Sequence, residues 1–451
     1  MTPILKIAAP ILLASVALFP ASADDGLRIE DAIRSAWREN PGLAAGAYQV
    51  AAARADAQAA GNGHWPTLAV TAKGLGTSEP AGVFAIKLAQ QRSTAADFDP
   101  ARLNYPDPVG GIGLGAGIVV PIWMGGRILA GQHAAEAQAD AEASAQARRR
   151  EEMALAVVQA YFGVQVASQG VRYADDVLEH ARETERFVGE RNQKGLALDA
   201  DVARAVAFRA QAEAERAWVL QQLSSARSAL AMLTGIDPAR SSLVTPVEME
   251  PAAASLSLLA GTPGSGGDAS RSDRPDVVAA RLRAQAAEAG IGVSRASLLP
   301  AIFAQAGVDT LRSSIQQGAT WWSAALVVRW EIGVSSFGGV QAAEARSAAA
   351  ASAVRWQEVQ ATREVEEARQ AVATADARVR SAREAVTASE SARSLREARY
   401  RQGLLPLTDV LDAQAALAGA RALLLRSQLE TRIARAQLEL ALGVPVEGVQ
   451  S

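Results

Sequence analysis

Residues 401–414 read Arg-Gln-Gly-Leu-Leu-Pro-Leu-Thr-Asp-Val-Leu-Asp-Ala-Gln, and part of this pattern occurs at a second place in the chain. The shared positions are an arginine, a glycine, an Asp-Val pair and a more distant glycine. They are Arg191, Gly195, Asp201, Val202 and Gly235 in the first copy, and Arg399, Gly403, Asp409, Val410 and Gly443 in the second. An internal repeat indicates a duplicated structural unit. In each copy the first glycine interrupts an alanine-rich segment, which predicts two long helical hairpins.

The long arm of each hairpin is predicted to be one continuous helix. No proline occurs between Arg127 and Gln193, and the alanine, glutamate, glutamine and arginine residues there are strong helix formers. At ~1.5 Å per residue, this segment makes roughly 100 Å of helix. The second long helix is predicted from about Val340 to Gln402.

Glycines and aspartates mark the turns between the arms. Gly195 is placed to end the long helix in the left-handed conformation. Asp199 or Asp201 can cap the next helix, which is predicted to end at Thr234-Gly235.

The second hairpin also shows a seven-residue repeat of apolar and small residues. On the long helix these are Val365, Val372, Val379 and Val386, with Ala368, Ala375, Ala382 and Ser389 three residues after each. On the shorter helix they are Val410, Leu417, Leu424, Thr431 and Leu438, with Ala413, Ala420, Ser427, Ala434 and Ala441 between them. A sustained seven-residue period predicts coiled-coil packing with a left-handed supercoil.

Short segments that alternate between apolar and polar residues predict β-strands. These are Thr67–Gly76, Ile112–Pro121, Ala301–Leu311 and Trp321–Ile332. In the last segment an apolar row from Trp322 to Ile332 faces away from Arg329 and Glu331. The residues from Ser78 to Gly111, which separate the first two strands, are predicted to form a loop and suggest no role.

The repeat and the chain ends set the predicted domain boundaries. Residues 1–23 have the pattern of a signal peptide: Lys6, an apolar run from Ile7 to Phe19, and a small-residue site at Ala21 and Ala23. The mature chain is therefore expected to begin at Asp24. The first repeat spans 24–237, a linker or equatorial region spans 238–274, the second repeat spans 275–447, and 448–451 form a tail.

Composition argues against several classes of function. The chain has no cysteine and a net charge of −3, with basic residues spread among acidic ones, so neither a thiolate metal site nor a nucleic-acid surface is expected. His64, His133 and His180 follow no metal-ligand pattern and are expected to be surface or packing residues. No nucleophile elbow or phosphate-binding loop occurs. We therefore expect no enzyme activity, no cofactor and no metal site.

Several motifs in a fixed order resemble one known family. They are 52–58 (Ala-Ala-Arg-Ala-Asp-Ala-Gln) before Trp65-Pro66, 120–127 (Val-Pro-Ile-Trp-Met-Gly-Gly-Arg), 233–238 (Leu-Thr-Gly-Ile-Asp-Pro), 401–414, and 441–445 (Ala-Leu-Gly-Val-Pro). Over essentially the whole mature chain, the sequence resembles the TolC family of outer-membrane efflux and secretion channels.

The resemblance implies a mainly α fold with membrane β structure. Three protomers, each with four strands, would build a 12-stranded barrel in the Gram-negative outer membrane. Their duplicated helical hairpins would continue the barrel as a periplasmic α-barrel. The implied function is a passive exit duct of a tripartite efflux or type I secretion system. The implied partners are outer-membrane lipid, a periplasmic adaptor (membrane fusion) protein and an inner-membrane pump of the RND, ABC or a similar class.

Tryptophan positions fit an aromatic girdle. Trp65, Trp123 and Trp330 lie at predicted strand ends on one side, and Trp321 and Trp322 lie toward the other. Packing in a soluble core remains the alternative for these residues. A soluble periplasmic coiled-coil scaffold and an adaptor protein remain alternatives for the whole chain. A scaffold would gain nothing from the continuous apolar strand face.

The resemblance also places candidate sites at the helical turns. Gly195, Leu196, Gly403 and Leu404 would contact the adaptor, although both glycines can equally be helix caps. Asp409 and Asp412 match the family's periplasmic entrance, where three protomers would gather six carboxylates into a gate. The alternative is that both aspartates, predicted in the first turn of the last helix after a candidate cap at Thr408, only complement the helix dipole.

Overall fold

The structure is a computed structural model that describes residues 27–238, 243–245, 247, 274–313 and 318–446. The expected signal peptide with its cleavage site, most of the 238–274 linker and the 448–451 tail lie outside the described residues. These described ranges contain nine α-helices and four strands.

The elements of the first copy are α1 (Ile29–Glu39), α2 (Pro41–Gly61), β1 (Thr67–Thr77), α3 (Pro80–Ala89), α4 (Pro100–Asn104), β2 (Val109–Trp123), α5 (Arg127–Gln193) and α6 (Asp199–Thr234). Those of the second copy are α7 (Pro275–Ala296), β3 (Ala301–Arg312), β4 (Gly318–Arg329), α8 (Val334–Arg401) and α9 (Leu407–Leu442). Short 3₁₀ turns occur at Asn62–His64 and Ala95–Phe98. The predicted bounds of α5 and the predicted end of α6 are confirmed. α8 begins earlier than predicted.

The end of β4 differs from the sequence-based prediction. The strand stops at Arg329, so Trp330 and Ile332 lie beyond it. Arg329 pairs with Ala301, the first residue of β3, and no further partner residue is left on that strand. The indole N–H of Trp330 donates instead to the carbonyl of Leu298 at 3.1 Å. The pairing register therefore ends the strand where the apolar alternation in the sequence continues.

The segment predicted as a loop between β1 and β2 contains α3 and α4. Pro80 and Pro100 each occupy a first helical position, where proline costs no hydrogen bond. The Asp97 carboxylate accepts hydrogen bonds from the Lys87 ammonium at 2.7 Å and from the Thr94 backbone N–H at 2.8 Å. The Lys87 hydrogen bond, followed by those from Thr94, holds the pKa of Asp97 well below its usual range. Phe84 and Phe98 meet edge to face at 5.4 Å.

The described residues divide into two compact units, and both repeats contribute to each. The sheet unit consists of the described residues within Trp37–Leu155, Pro251–Thr374 and Ala434–Ser451, and it contains all four strands. The turn unit consists of the described residues within Met1–Ala36, Ala156–Glu250 and Ala375–Ile433, and it contains both glycine turns.

The strands of the sheet unit form one antiparallel sheet in the order β1-β2-β3-β4. Residues directly opposite one another share a face, so the register assigns every side chain to one of two faces. Leu68, for example, lies opposite Ile118, which lies opposite Ala306, which lies opposite Ala324.

One face of this sheet is a continuous apolar surface, which we call the apolar face. Its residues include Leu68, Val70, Leu114, Ile118, Val308, Trp322, Leu326 and Val328. They are well exposed in the single chain; Val70, for example, is 77% exposed and Trp322 is 76% exposed. The predicted apolar row of the fourth strand is confirmed from Trp322 to Val328. Trp321 lies on the other face, so the two adjacent tryptophans do not share one aromatic surface.

The opposite side of the sheet, which we call the polar face, has a different composition. It includes Thr67, Thr71 and Lys73 on β1, Gly113, Gly115 and Gly117 on β2, Gln305, Gly307 and Asp309 on β3, and Trp321, Ser323 and Ala325 on β4, together with apolar residues such as Val119, Phe303, Leu311 and Val327. Lys73, Gln305 and Asp309 thus lie on the face opposite the apolar surface, as in strands that separate a hydrocarbon layer from water.

Most of the seven-residue repeat of the second hairpin is buried, whereas Val379, Val386, Ser389 and Leu424 are only partly buried. Val365, Ala368, Val372, Ala375 and Ala382 of α8 are buried. The corresponding residues of α9, Val410, Ala413, Leu417, Ala420, Ser427, Thr431, Ala434, Leu438 and Ala441, are also buried. Small residues at every second position allow two helix backbones to approach closely.

In the turn unit, the described part of the linker is fastened to the long helix α5. The Tyr161 hydroxyl donates to the Leu27 carbonyl at 2.6 Å and accepts from the Thr245 N–H at 3.0 Å. Gln165 donates to the Thr245 carbonyl at 2.6 Å, and Leu27 forms a parallel bridge with Leu243. These contacts join the start of the described chain to the linker.

Candidate functional site at the helical turns

The two glycine turns have the same backbone geometry. Gly195 has φ 71° and Gly403 has φ 76°, a region in which other residues are strained. The N–H of Leu196 donates to the Arg191 carbonyl at 2.8 Å, and that of Leu404 donates to the Arg399 carbonyl at 2.9 Å. This bond across the glycine ends each helix in a Schellman motif. The predicted capping role of both glycines is therefore confirmed.

Each turn presents an exposed leucine. Leu196 is 63% exposed and Leu404 is 67% exposed. Exposed leucines are common on protein surfaces and do not by themselves define a site. Their occurrence at equivalent positions of two equivalent turns makes them a matched pair.

The helices after the two turns begin differently from the prediction. α6 starts after Leu198, whose backbone is extended and whose apolar side chain makes no capping bond. Asp199 and Asp201 lie in the first helical turn, so neither is the cap. The Asp199 carboxylate accepts a hydrogen bond from the Asn192 side chain at 3.0 Å instead. Asn192 also donates to the Ala197 carbonyl at 3.0 Å, which connects the end of α5 to the segment that precedes α6.

In the second copy, α9 begins at Leu407, which places Thr408 inside the helix rather than at its cap. Asp409 lies in the first helical turn, but Asp412 lies beyond it, so the prediction of two first-turn aspartates is wrong for Asp412. Asp409 is half-buried and Asp412 is exposed. Within the described ranges, no hydrogen bond or ion pair engages either carboxylate. Dipole complementation can therefore account for Asp409 alone.

A shared core joins the two turns inside one protomer. Val188, Ala205 and Leu407 are buried against one another, with Val202 and Tyr400 packed around them. Phe187 and Tyr400 meet edge to face at 6.0 Å, and the Arg191 guanidinium lies 5.8 Å from the centroid of each ring. Burial raises the pKa of Tyr400, and the positive charge of Arg191 partly opposes this.

Sequence reasoning missed this core for a specific reason. Phe187 and Tyr400 occupy positions that do not correspond in the two copies, so comparing the copies does not pair them. Arg191 is a repeated residue, but nothing in the sequence indicates that it lies beside this pair of rings.

Further along the same helices, charged side chains are paired with neighbours. Arg421 lies 5.0 Å from the Tyr173 ring centroid, 3.0 Å from a Glu390 oxygen and 3.6 Å from an Asp176 oxygen. Arg393 contacts both Glu397 and His180 at 3.3 Å. Asp409 and Asp412 therefore differ from these neighbouring charges, since their carboxylates stand without a counterion among the described residues.

No helix in the described part of the chain is long and apolar enough to cross a bilayer. No group of three histidine, aspartate or glutamate side chains there is placed to hold a metal ion.

The fold and its surfaces define a class of protein. A sheet with an exposed apolar face, attached to two duplicated helical hairpins, is the architecture of an outer-membrane channel protomer. The family model for outer membrane efflux proteins matches residues 32–236 and 267–444. The chain belongs to this outer membrane efflux protein family. As a member of it, the chain is an outer-membrane protein, and its family consists of channels rather than enzymes.

Comparison with curated proteins gives two distant relatives. Protein CyaE of Bordetella pertussis is 27% identical over 283 residues, which cover 63% of this chain and 54% of that protein. Outer membrane protein OprJ of Pseudomonas aeruginosa is 27% identical over 295 residues, covering 64% of this chain and 60% of OprJ. The matched region thus spans little more than half the length of these relatives.

Solved structures share the fold over nearly the whole chain. A membrane protein from Pseudomonas aeruginosa superposes with a TM-score of 0.77 at 23% identity, covering 92% of each chain. VceC from Vibrio cholerae superposes with a TM-score of 0.73 at 21% identity, covering 93% of this chain and 97% of that one. MtrE of Neisseria gonorrhoeae, in its open state, gives a TM-score of 0.72 at 22% identity, covering 94% and 91%. At these identities the likeness shows the fold.

Proposed function

We propose that this chain is the outer-membrane exit duct of a tripartite efflux or type I secretion system. It provides a passive path, and an inner-membrane pump supplies the energy. The observation that supports this most strongly is the sheet with one apolar and one polar face. An apolar surface of this extent is unfavourable in water and suits the hydrocarbon layer, while the polar face suits a water-filled lumen.

The sheet edges support assembly with other copies of the chain. Among the described residues, β1 pairs with β2 and β4 pairs with β3, which leaves one edge of each outer strand unpaired. Unpaired backbone groups are not tolerated in hydrocarbon, so the sheet must close through copies of itself. Three protomers give the 12-stranded barrel that the family resemblance implies.

Partners follow from the same proposal. Leu196 and Leu404 would contact a periplasmic adaptor, and Asp409 and Asp412 would form the entrance gate.

The alternatives of a soluble scaffold and an adaptor are less well supported. Either protein would have to cover the exposed apolar face with something other than lipid. Family membership across both halves of the chain also favours a channel.

A pair of neighbouring substitutions tests the proposal. Leu326 lies on the apolar face and is 69% exposed, while the adjacent Ala325 lies on the polar face. An arginine on a lipid-facing strand position costs about 2–4 kcal/mol near the bilayer midplane, whereas lumen positions tolerate charge. We expect Leu326→Arg to lose the trimer from the outer-membrane fraction and Ala325→Arg to retain it.

The readouts are membrane fractionation and native mass spectrometry in detergent. Wild-type protein should give three copies per particle. A wild-type monomer found in the soluble periplasmic fraction, or equal behaviour of the two variants, would rule out the channel proposal.

A further inference from the structure

Two charged side chains stand out on the polar face of the sheet. Lys73 of β1 is exposed, and Asp309 of β3 is partly exposed. Neither has a hydrogen bond or ion pair with another residue in the described part of the chain. The remaining charged strand residues, Arg312 and Arg329, are the last residues of β3 and β4. Lys73 and Asp309 are therefore the charges placed within the body of the sheet.

Both side chains lie over glycines of the strand between them. Lys73 is opposite Gly113 in the register, and Asp309 is opposite Gly115. A Cβ atom added to Gly113 would come within 2.9 Å of the Lys73 Cε, and one added to Gly115 within 2.5 Å of an Asp309 carboxylate oxygen. Each charged side chain is thus folded across β2, in the space that a side chain on that strand would occupy.

This position has a consequence for the lumen. A charged side chain that lies flat against the sheet does not narrow the lumen, and it still faces the ions that pass through the lumen. Because neither Lys73 nor Asp309 forms a hydrogen bond or ion pair in the described part of the chain, both charges are available to mobile ions. Rings of charged side chains are a common basis of ion selectivity in pores.

We infer that Lys73 and Asp309 form two charged bands of opposite sign on the lumen wall and tune its ion selectivity. This inference rests on the proposed channel function. In an assembly of three copies, each band holds three like charges. Gly113 and Gly115 are two residues apart along β2, so the bands are offset by roughly 7 Å along the strand. The Lys73 band is nearer the end of the sheet that connects to α3 and α4, and the Asp309 band is nearer the end with Trp65 and Trp123.

The two bands carry opposite charges and have opposite effects on ion selectivity. Removing one charge should therefore reveal the effect of the other on selectivity. Loss of the Asp309 charge should favour anions, and loss of the Lys73 charge should favour cations. Screening shortens the reach of each band to about 8 Å at 0.15 M salt and about 3 Å at 1 M. The effect should therefore be clearest in dilute salt.

The first test is the reversal potential of the purified channel in planar bilayers under a potassium chloride gradient. We expect Asp309→Asn and Lys73→Gln to change the cation-to-anion permeability ratio by about twofold or more, in opposite directions. A conducting wild type whose reversal potential is unchanged in both variants would refute this inference alone. A wild type without conductance would refute the proposed channel function, and this inference with it.

The second test concerns the glycines. Gly115→Ala should displace the Asp309 carboxylate from the wall into the lumen and lower the single-channel conductance. Gly117→Ala is the matched control, because its added methyl group meets its nearest atom, the Ala306 carbonyl oxygen, at an ordinary 3.6 Å. Equal conductance of the two alanine variants would contradict the proposed seating of Asp309.

The third test uses the absence of cysteine from the chain. Single cysteines at positions 309 and 308 should report opposite faces of one strand, since Val308 lies on the apolar face. A charged, water-soluble thiol reagent should modify Asp309→Cys and change its current, and it should leave Val308→Cys unmodified. Modification of Val308→Cys with protection of Asp309→Cys would overturn the assignment of the polar face to the lumen.

Discussion

Arg274 provides a sharp test of what stabilises the sheet unit. Its side chain is fully buried, and it is held by four hydrogen bonds. It donates to the two Asp276 carboxylate oxygens at 3.1 and 2.7 Å, to Glu364 at 2.8 Å, and to the Ala441 carbonyl at 3.1 Å. The last bond satisfies a carbonyl at the C-terminal end of α9. The guanidinium therefore links α7, α8 and α9.

Replacing Arg274 with alanine should destabilise this unit strongly. The change leaves the Ala441 carbonyl without its Arg274 donor and leaves the Asp276 carboxylate with only its hydrogen bond from Gln357 at 2.8 Å. Breaking a buried ion pair on one side costs about 3–5 kcal/mol. Arg281→Ala is the matched control. Arg281 of α7 pairs with Glu358 of α8 at 2.7 Å, but both side chains are about two-fifths exposed. An exposed pair contributes about 0–1 kcal/mol.

Thermal melts of the detergent-solubilised protein, followed by circular dichroism at one scan rate, give the comparison. The Arg274→Ala transition should fall by on the order of 10 °C, and the Arg281→Ala transition by a few degrees at most. Equal small shifts would show that the buried network contributes no more than a surface ion pair, and the reasoning would be wrong.

The same network predicts a pH dependence. Burial opposes the ionisation of Asp276, but the hydrogen bond from Arg274 and the charge of Arg148 outweigh it and lower the Asp276 pKa below 3.8. A lowered pKa stabilises the fold above the unfolded value, and this stability is lost as pH falls through the folded value. The difference between wild type and Arg274→Ala should therefore shrink in acid below about pH 4.

Three further predictions concern single residues of the two units. Burial raises the pKa of Glu151, whose Oε2 atom has no hydrogen bond. Glu151→Gln should therefore raise the melting temperature at neutral pH and have no such effect below about pH 4. An equal gain at both pH values would contradict this. Asp409→Ala with Asp412→Ala should weaken cation selectivity in planar bilayers and remove block by hexammine cations from the periplasmic side, whereas Asp201→Ala should do neither; unchanged block would place the entrance elsewhere. Leu196→Asp with Leu404→Asp should abolish export while the trimer persists, and Met232→Asp, which alters an equally exposed apolar residue of α6, should not; normal export by the turn variant would refute docking at the turns.

Much of the fold could be predicted from the sequence because its main determinants are local. The bounds of α5 follow from an unbroken run of helix formers, and the buried seam of α9 follows from its seven-residue period. The end of β4 could not be predicted in this way, because the partner strand β3 decides it. The start of α6 was missed because an apolar residue, Leu198, occupies the cap position. The Arg274 network was missed because its members come from distant parts of the chain.

The candidate sites show the same division between local and non-local determinants. Both glycine caps follow from residue type and spacing. The packing of Tyr400 and Phe187 around Arg191 does not, because it depends on how two hairpins meet. The placement of Lys73 and Asp309 over glycines depends on strand register, which a single sequence leaves open.

Divergence between the two copies bears on the entrance proposal. The positions that match Asp409 and Asp412 in the first copy are Asp201 and Arg204, so an acidic pair in one copy corresponds to an opposite-charge pair in the other. Helix-end electrostatics would favour acidic residues equally at both helix starts, because both helices follow the same glycine turn. Asp409 alone lies in the first turn, and Asp412 is exposed beyond it, where the helix dipole contributes little. Complementation of the helix dipole therefore explains the aspartate that the two repeats share but not Asp412, the one that differs. In a trimer, the three Asp412 residues would concentrate negative charge at the turn of the second repeat, and the turn of the first repeat would lack this charge. A cation-attracting entrance requires such a concentration of negative charge.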